Sequence, residues 1–373
     1  MDRPKAADVI VIGGGIVGAS AAAHLAEAGR RVTLVERSEI AAGASGRNSG
    51  VVQRPFDPVL VALYIETVDL YRSLDGLTLP PTPAGLLSVT RDVDGARRLT
   101  AAIAARDPDL APRFIPPDEM RSLEPSIAPG VAACRLPIGF PIGPMAATQA
   151  YAARAERAGV QIRLGSDARL WRTGGRVAGV SIDGVRSAAA DVVVAAGPWT
   201  PAIVDPSGGW RPIGARWGVV VPVSLDEPPR HVLEEAEISI EPGAEDVDGE
   251  AGHAFSLVTA DGSSSLGSTF LIDEPDGAAI VPALVRRGAR FIPAIADAPL
   301  GPPRVCARPQ SLDGRPLIGR VPGVDGLWVA AGHGPWGIST GPASGRLVAN
   351  LVTEAVASPP AALDPARFGV VPG

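Results

Sequence analysis

Lysine is almost missing from this chain. Lys5 is the sole lysine in 373 residues, although lysine and arginine together number 34. A Schiff base, or any catalytic lysine, is thereby excluded. Cysteine is nearly as scarce: Cys134 and Cys306 cannot build a disulfide framework, and no metal-type Cys/His spacing occurs. The four histidines, His24, His231, His253 and His333, are too scattered for an obvious ligand set. Only three tyrosines are present, Tyr64, Tyr71 and Tyr151. No apolar run reaches the length of a bilayer span. The net charge of −6 and the pI near 5.4 give no support for a nucleic-acid partner. No internal repeat of solenoid period is found.

What is present begins at the N-terminus. Val9-Ile10-Val11-Ile12 reads as a buried parallel strand, Ile16 to Ala28 as an Ala-rich helix, and Arg31 to Glu36 as a second strand. Between the first two lies Gly13-x-Gly15-x-x-Gly18. Gly13 suits a tight turn, Gly15 lets backbone approach a pyrophosphate, and Gly18 lets the helix pack close to the strand. The helix start, with Ile16 and Val17, offers free N–H groups and a positive dipole end. Glu36, ending the second strand beside Arg37, is placed to accept hydrogen bonds from ribose hydroxyls. The combination predicts an ADP-containing dinucleotide. Arg3 and Lys5 before an apolar stretch resemble a secretory leader, but Asp8 interrupts it and the run continues into a patterned helix with His24 and Glu27. A cytoplasmic protein is expected.

The length suggests two domains. Residues 59–74 carry helical apolar spacing, and Pro80-Pro81-Thr82-Pro83 then breaks the chain. A short strand (GLLSVT), a helix near 92–106 and proline-punctuated loops follow. Residues 145–158 read as a helix, 160–164 as a strand, the region around Gly174-Gly175 as a hairpin, and 191–197 as a buried strand. Residues 212–303 are richer in alternating strands, prolines and acids, and 226–250 holds ten acids against one arginine. That stretch reads as a solvated lid or edge, or else as a docking face for a partner subunit. Residues 357–373 read as a poorly structured Ala/Pro tail. The order predicts a dinucleotide domain, 1–80, 145–211 and 304–356, interrupted twice by insertions, 81–144 and 212–303, that build an antiparallel substrate domain.

Three further segments carry chemistry. In Gly43-Ala-Ser-Gly-Arg-Asn-Ser-Gly50, small residues let a loop lie against a flat cofactor, and Ser45, Arg47 and Asn48 offer bonds to phosphate or ribitol oxygens. DVVVAAGPW ends at Ala196, Gly197 and Trp199, which suggests backbone close to a ligand. The last is Cys306-Ala-Arg308-Pro-Gln-Ser-Leu-Asp313-Gly-Arg-Pro-Leu-Ile-Gly319, followed by the strand Leu327–Ala331 and Gly332-His-Gly-Pro-Trp-Gly337 ahead of a helix. A second helix N-terminus there would favour negative charge on a reduced cofactor ring.

Together these segments, in this order over the whole length, resemble the FAD-dependent D-amino acid oxidase family, with its glycine oxidases, sarcosine oxidases and D-amino acid dehydrogenases. The resemblance implies an α/β fold: a discontinuous Rossmann-type FAD-binding domain plus an antiparallel-sheet substrate domain roofing the flavin. It implies that Gly50 and Val51 continue the cofactor loop and that Ala168 contributes backbone to the adenine site. Gly334, Gly337, Ile338, Ser339 and Thr340, after Gly332, would line the pyrimidine side. It also implies that Arg308 clamps a substrate carboxylate, a role suited to the planar guanidinium. Arg54 is the second candidate. His333 would polarise the substrate, line the oxygen side, or simply be a satisfied histidine. Trp199, Trp217 and Trp336 are candidate pocket walls.

Departures from the family pattern matter. The substrate domain has no tyrosine to hold the carboxylate, and no lysine is available over the flavin to promote oxygen reduction. Either O2 or an electron-transfer partner is therefore open as acceptor. Cys306 stands where some members bond covalently to the flavin, whereas its Arg-Pro surroundings resemble noncovalent ones; FAD is expected noncovalent, with the cysteinyl link left open. The expected activity is oxidation of a small amino acid or secondary amine by hydride transfer. The alternatives are a dehydrogenase subunit of a hetero-oligomeric imino acid or opine dehydrogenase, and a flavin-binding scaffold or sensor without turnover. Homo- and hetero-oligomers are both open.

Overall fold

The computed structural model describes residues 7–236 and 252–371. Two large sheets organise them. The first has six strands in the order Leu317–Arg320, Leu327–Ala331, Asp191–Val194, Val9–Ile12, Val32–Val35, Gln161–Arg163. Every neighbouring pair is parallel except the Leu317–Arg320 edge. The near-continuous Val/Ile runs follow from burial on both faces. On one face pack the helices Ile16–Glu27, Pro58–Arg72, Ala146–Arg157 and Gly337–Val352, with Tyr71 and Tyr151 fully buried among them. On the other lies a three-stranded meander, Ala168–Thr173, Arg176–Ile182 and Val185–Ala188.

The glycine turn works by close approach. Gly13 sits at φ +116°, and a Cβ there would lie 2.4 Å from the Ala195 carbonyl oxygen. A Cβ on Gly18 would lie 1.9 Å from the Gly13 carbonyl oxygen. Both contacts forbid any side chain, so the first strand, its turn and the helix must meet through backbone alone.

The second sheet has eight strands: Arg304–Ser311, Ile213–Val223, Ser263–Thr269, His253–Ala260, Val232–Glu235, Leu86–Thr90, Ala132–Leu136 and Arg113–Ile115. It is antiparallel apart from one parallel joint, between Leu86–Thr90 and Val232–Glu235. Those two strands come from different insertions, so no hairpin dictates their relative direction. The helix Gly277–Ala289, capped by the Asp276 carboxylate on the Ala278 N–H, covers one face. Phe255 and Phe291 stack beneath it at 4.8 Å.

Three expectations need correction. Residues 304–311, expected with the dinucleotide domain, form an edge strand of the eight-stranded sheet, paired with Ile213–Val223 over eight residues. The tail is not loose: Leu363 and Val371 are buried, the Ile318 N–H donates to the Leu363 carbonyl at 2.8 Å, and Arg367 pairs with Asp313 at 2.8 Å. Its few apolar side chains cap the edge of the parallel sheet. In the acid-rich stretch, Glu235 is not solvated: it is buried, accepts from the Phe255 N–H and pairs with Arg287 at 2.7 Å. The remainder of that stretch, 237–250, lies outside the described residues.

Candidate active site

A cavity of about 1160 Å³ runs from the glycine turn, along the ends of the parallel strands, to the edge strand Arg304–Ser311. Its volume exceeds the usual range for one drug-sized ligand, roughly 300–1,000 Å³. It therefore has room for a long cofactor and a small substrate together.

At one end the wall is mostly backbone. Gly13, Gly15, Ile16 and Val17 line it where the first strand becomes a helix. The Glu36 carboxylate is held by two N–H groups, Gly14 at 2.7 Å and Ser38 at 2.9 Å, and each oxygen keeps a lone pair for another donor. Ser45 accepts from the Ile16 N–H at 3.0 Å, which docks the small-residue loop onto the helix start. Asn48 ties that loop internally, donating to the Ala44 and Ser45 carbonyls and accepting from the Gly50 N–H. Arg37 lies over the Trp199 ring at 3.9 Å, and both line the cavity with Ala168, Ala196 and Gly197.

At the other end the wall is made of side chains. Register places Arg308 opposite Arg216 and Ala307 opposite Trp217. The Arg308 guanidinium donates to the Thr269 carbonyl at 2.6 Å and to Ser268 Oγ at 2.5 Å, and stands 4.5 Å from the Phe270 ring. Gly218 makes room for it, since a Cβ there would fall 2.5 Å from an Arg308 nitrogen. Burial lowers the Arg308 pKa, and among the described residues no carboxylate pairs with it. A half-buried guanidinium on a cavity wall, bonded only to neutral oxygens, is suited to receive an anion. Cys306 lines the same wall; burial raises its thiol pKa, opposed by the charges of Arg308, Arg47 and Arg304. Arg47, also on the wall, donates to the Val305 carbonyl at 3.1 Å.

His333 joins the two ends. It is buried, lines the cavity, and its pKa is pushed down to about 4 by loss of solvent. Its Nε2 is 2.9 Å from Ser344 Oγ, whose own hydrogen goes to the Thr340 carbonyl at 2.9 Å. The imidazole is therefore neutral at pH 7, with Nε2 carrying the proton. Gly334, Gly337 and Ile338 line the cavity beside it, at the start of the helix Gly337–Val352.

Some expected residues stand elsewhere. Arg54 is not on the cavity wall: it is spent on Asp107 at 2.6 Å, a structural ion pair. Gly18, Gly50, Val51, Gly332, Ser339 and Thr340 do not line the cavity. They act from behind it: Val51 pairs with Pro141, Ser339 accepts from the Gln53 N–H, and the Thr340 hydroxyl donates to the Trp336 carbonyl. Trp199 and Trp217 line the wall, whereas Trp336 packs against the helical core. Sequence reasoning missed Ser268 and Thr269, which hold Arg308, and the wall residues Arg169, Arg172 and Glu274. Arg169 and Arg172 follow Ala168 on one strand, and that proximity was the available signal.

Comparison with known proteins gives a consistent picture. The family model described as DAO, FAD dependent oxidoreductase, matches residues 8–351. A glycine oxidase of Pseudomonas aeruginosa is 29% identical over 362 residues, covering 92% of this chain and 94% of that protein. A glycine oxidase of Geobacillus kaustophilus is 28% identical over 378 residues, covering 92% of each. Among solved structures, the L-proline dehydrogenase from P. horikoshii superposes with a TM-score of 0.82 at 21% identity, over 99% of this chain and 100% of the other.

Proposed function

The chain belongs to the DAO family of FAD-dependent oxidoreductases, and from that premise we propose that it oxidises the C–N bond of a small amino acid or secondary amine. The observation that carries this reading is Arg308: half-buried, on the cavity wall, bonded to neutral oxygens and, among the described residues, without a carboxylate of its own. It asks for a substrate carboxylate, which a guanidinium binds through two parallel charge-assisted bonds.

The residues present fit an FAD. The close approach at Gly13 and Gly18 and the start of the helix Ile16–Glu27 suit a pyrophosphate, and Glu36 suits a ribose. Ser45, Arg47 and Asn48 would meet the phosphate and ribitol, and Arg37, Ala168, Ala196, Gly197 and Trp199 the ADP half. The start of the helix Gly337–Val352 would face the flavin ring. Bound there, the flavin supplies the acceptor for a hydride. Cys306 remains a buried thiol in this reading, and the cofactor noncovalent.

The protein's own part is positioning and exclusion of water. Arg308 fixes the carboxylate and Trp217 walls the cavity beside it. His333, neutral and protonated on Nε2, serves as a polar wall rather than a base. The amine must therefore arrive unprotonated and give up hydride from its α-carbon; the iminium ion that results leaves and is hydrolysed by water to an oxo acid and ammonia or an amine. Such a path depends on orientation in a dry site, which alone supplies several kcal/mol. A second reading, a dehydrogenase passing electrons to a partner, is favoured by one observation: among the described residues no lysine lines the cavity. The test is anaerobic titration of the purified flavoprotein with D-, L- and N-methyl amino acids. Bleaching of the visible band by one class supports the reading; a band that no amine bleaches defeats it. Peroxide yield against dye reduction then separates oxidase from dehydrogenase.

A further inference from the structure

Among the described residues three carboxylates line the cavity, and two are already engaged. Glu36 is held by the Gly14 and Ser38 N–H groups, and Asp167 pairs with Arg169 at 3.2 Å. The third, Glu274, has neither a hydrogen bond nor an ion pair among the described residues. It does not cap the helix that follows, because Asp276 performs that task. Glu274 is exposed at the cavity wall, so its carboxylate is free to meet a cation that enters there.

Its position in the chain says which cation. Ser268 and Thr269 bond the Arg308 guanidinium, and Phe270 stacks on it. Leu271 is then hooked to Trp217 by a reciprocal pair of backbone hydrogen bonds, 2.8 and 3.0 Å. Glu274 follows within the same segment, five residues beyond Thr269. Even fully extended, that interval spans at most about 17 Å. One segment thus presents the partners of the anion site and, at an exposed position, a free carboxylate. The reacting amine is not the group Glu274 serves: a carboxylate beside it would hold it as ammonium, which cannot give up hydride.

We propose that Glu274 is a specificity residue that selects amino acids with a cationic side chain, the α-carboxylate seated on Arg308 and the distal cation meeting Glu274 at the mouth. This rests on the amine-oxidising reading above and names its substrate class.

The experiment measures the apparent second-order constant for anaerobic flavin reduction by lysine, norleucine and glutamate, each as D and L isomers. In the wild type, lysine should exceed norleucine by about two- to fivefold, the scale of an exposed ion pair, with glutamate slowest and the advantage shrinking as salt is added. In Glu274→Gln the lysine-to-norleucine ratio should fall to about one, and in Glu274→Arg glutamate should overtake lysine. Norleucine reducing the flavin as well as lysine does, or Glu274→Gln keeping the lysine advantage, overturns this proposal and leaves the amine-oxidising reading standing. A flavin that none of the three reduces but that glycine or an N-methyl amino acid bleaches overturns this proposal alone; a flavin that no amine bleaches overturns both.

Discussion

The two ends of the cavity are built from different materials. At the cofactor end, what faces the cavity is largely backbone: a glycine turn, two helix starts and N–H groups that hold Glu36. At the substrate end it is side chains from neighbouring strands, Arg308, Trp217 and Cys306, with the loop residue Glu274. Backbone construction restricts which residues can occupy a position, because any Cβ collides. Side-chain construction restricts only which strands must lie next to each other. The first end should therefore fail when bulk is added, the second when charge is removed.

The largest effect expected is at the substrate end. Arg308→Ala should raise the barrier for carboxylate substrates by about 2–5 kcal/mol in kcat/KM, the scale for losing one partner of a buried charge pair. Flavin content should hold, since among the described residues the guanidinium bonds Ser268 and Thr269 alone. Loss of flavin from this variant would break the division between the ends.

His333, at the junction, gives the next. Its folded pKa of about 4 lies below the ordinary 6.5. Between those values the unfolded chain takes up a proton that the folded chain refuses. The contribution is complete above pH 6.5 and is lost as pH falls towards 4, about 3 kcal/mol in full. Urea unfolding from pH 7 to pH 4.5 should cost the wild type more stability than His333→Gln. Buried His24, whose pKa is also about 4, contributes equally to both proteins and cancels. Parallel pH profiles would mean that His333 is not held neutral by burial.

Gly18→Ala tests the backbone end. The added Cβ would start 1.9 Å from the Gly13 carbonyl, so strand or helix must shift. Overpacking of this kind costs about 1–3 kcal/mol. It should appear as a lower flavin-to-protein absorbance ratio and a lower Tm, with the lysine-to-norleucine ratio of the remaining holoenzyme unchanged. A stable, fully loaded Gly18→Ala would show that the approach relaxes easily.

What could be read in the sequence follows the same division. Gly13, Gly15 and Gly18 were legible because steric exclusion leaves a spacing. Arg308 was legible through its Arg-Pro motif. Arg54 misled, because closeness to the GASGRNSG loop does not show which way a side chain leaves the chain; Asp107 claims it from the end of the helix Val93–Arg106. Ser339 and Thr340 misled for a periodic reason: each helical residue turns about 100°, so Gly337 and Ile338 face the cavity while the next two turn away. Ser268, Thr269 and Gly218 were invisible, since only the strand pairing brings them to Arg308. The tail's Ala/Pro composition hid Leu363 and Val371, whose burial depends on a groove built elsewhere.

The smallest prediction concerns a stacked pair of side chains at the cofactor end. Arg37 lies 3.9 Å from the centre of the Trp199 ring, and Trp199 remains 39% exposed. A cation–π contact at such a site is worth about 0.5–1 kcal/mol. Trp199→Leu keeps apolar bulk and removes the ring face, so it should weaken FAD affinity by only about two- to fivefold, read by flavin fluorescence on titrating the apoprotein. Arg37→Gln should weaken it to the same extent, and the double variant no further, because both changes remove one contact. A loss as large as that of Gly18→Ala would mean that the stacked pair, and not the glycine turn alone, holds the dinucleotide, and the contrast between the two ends would then be one of degree.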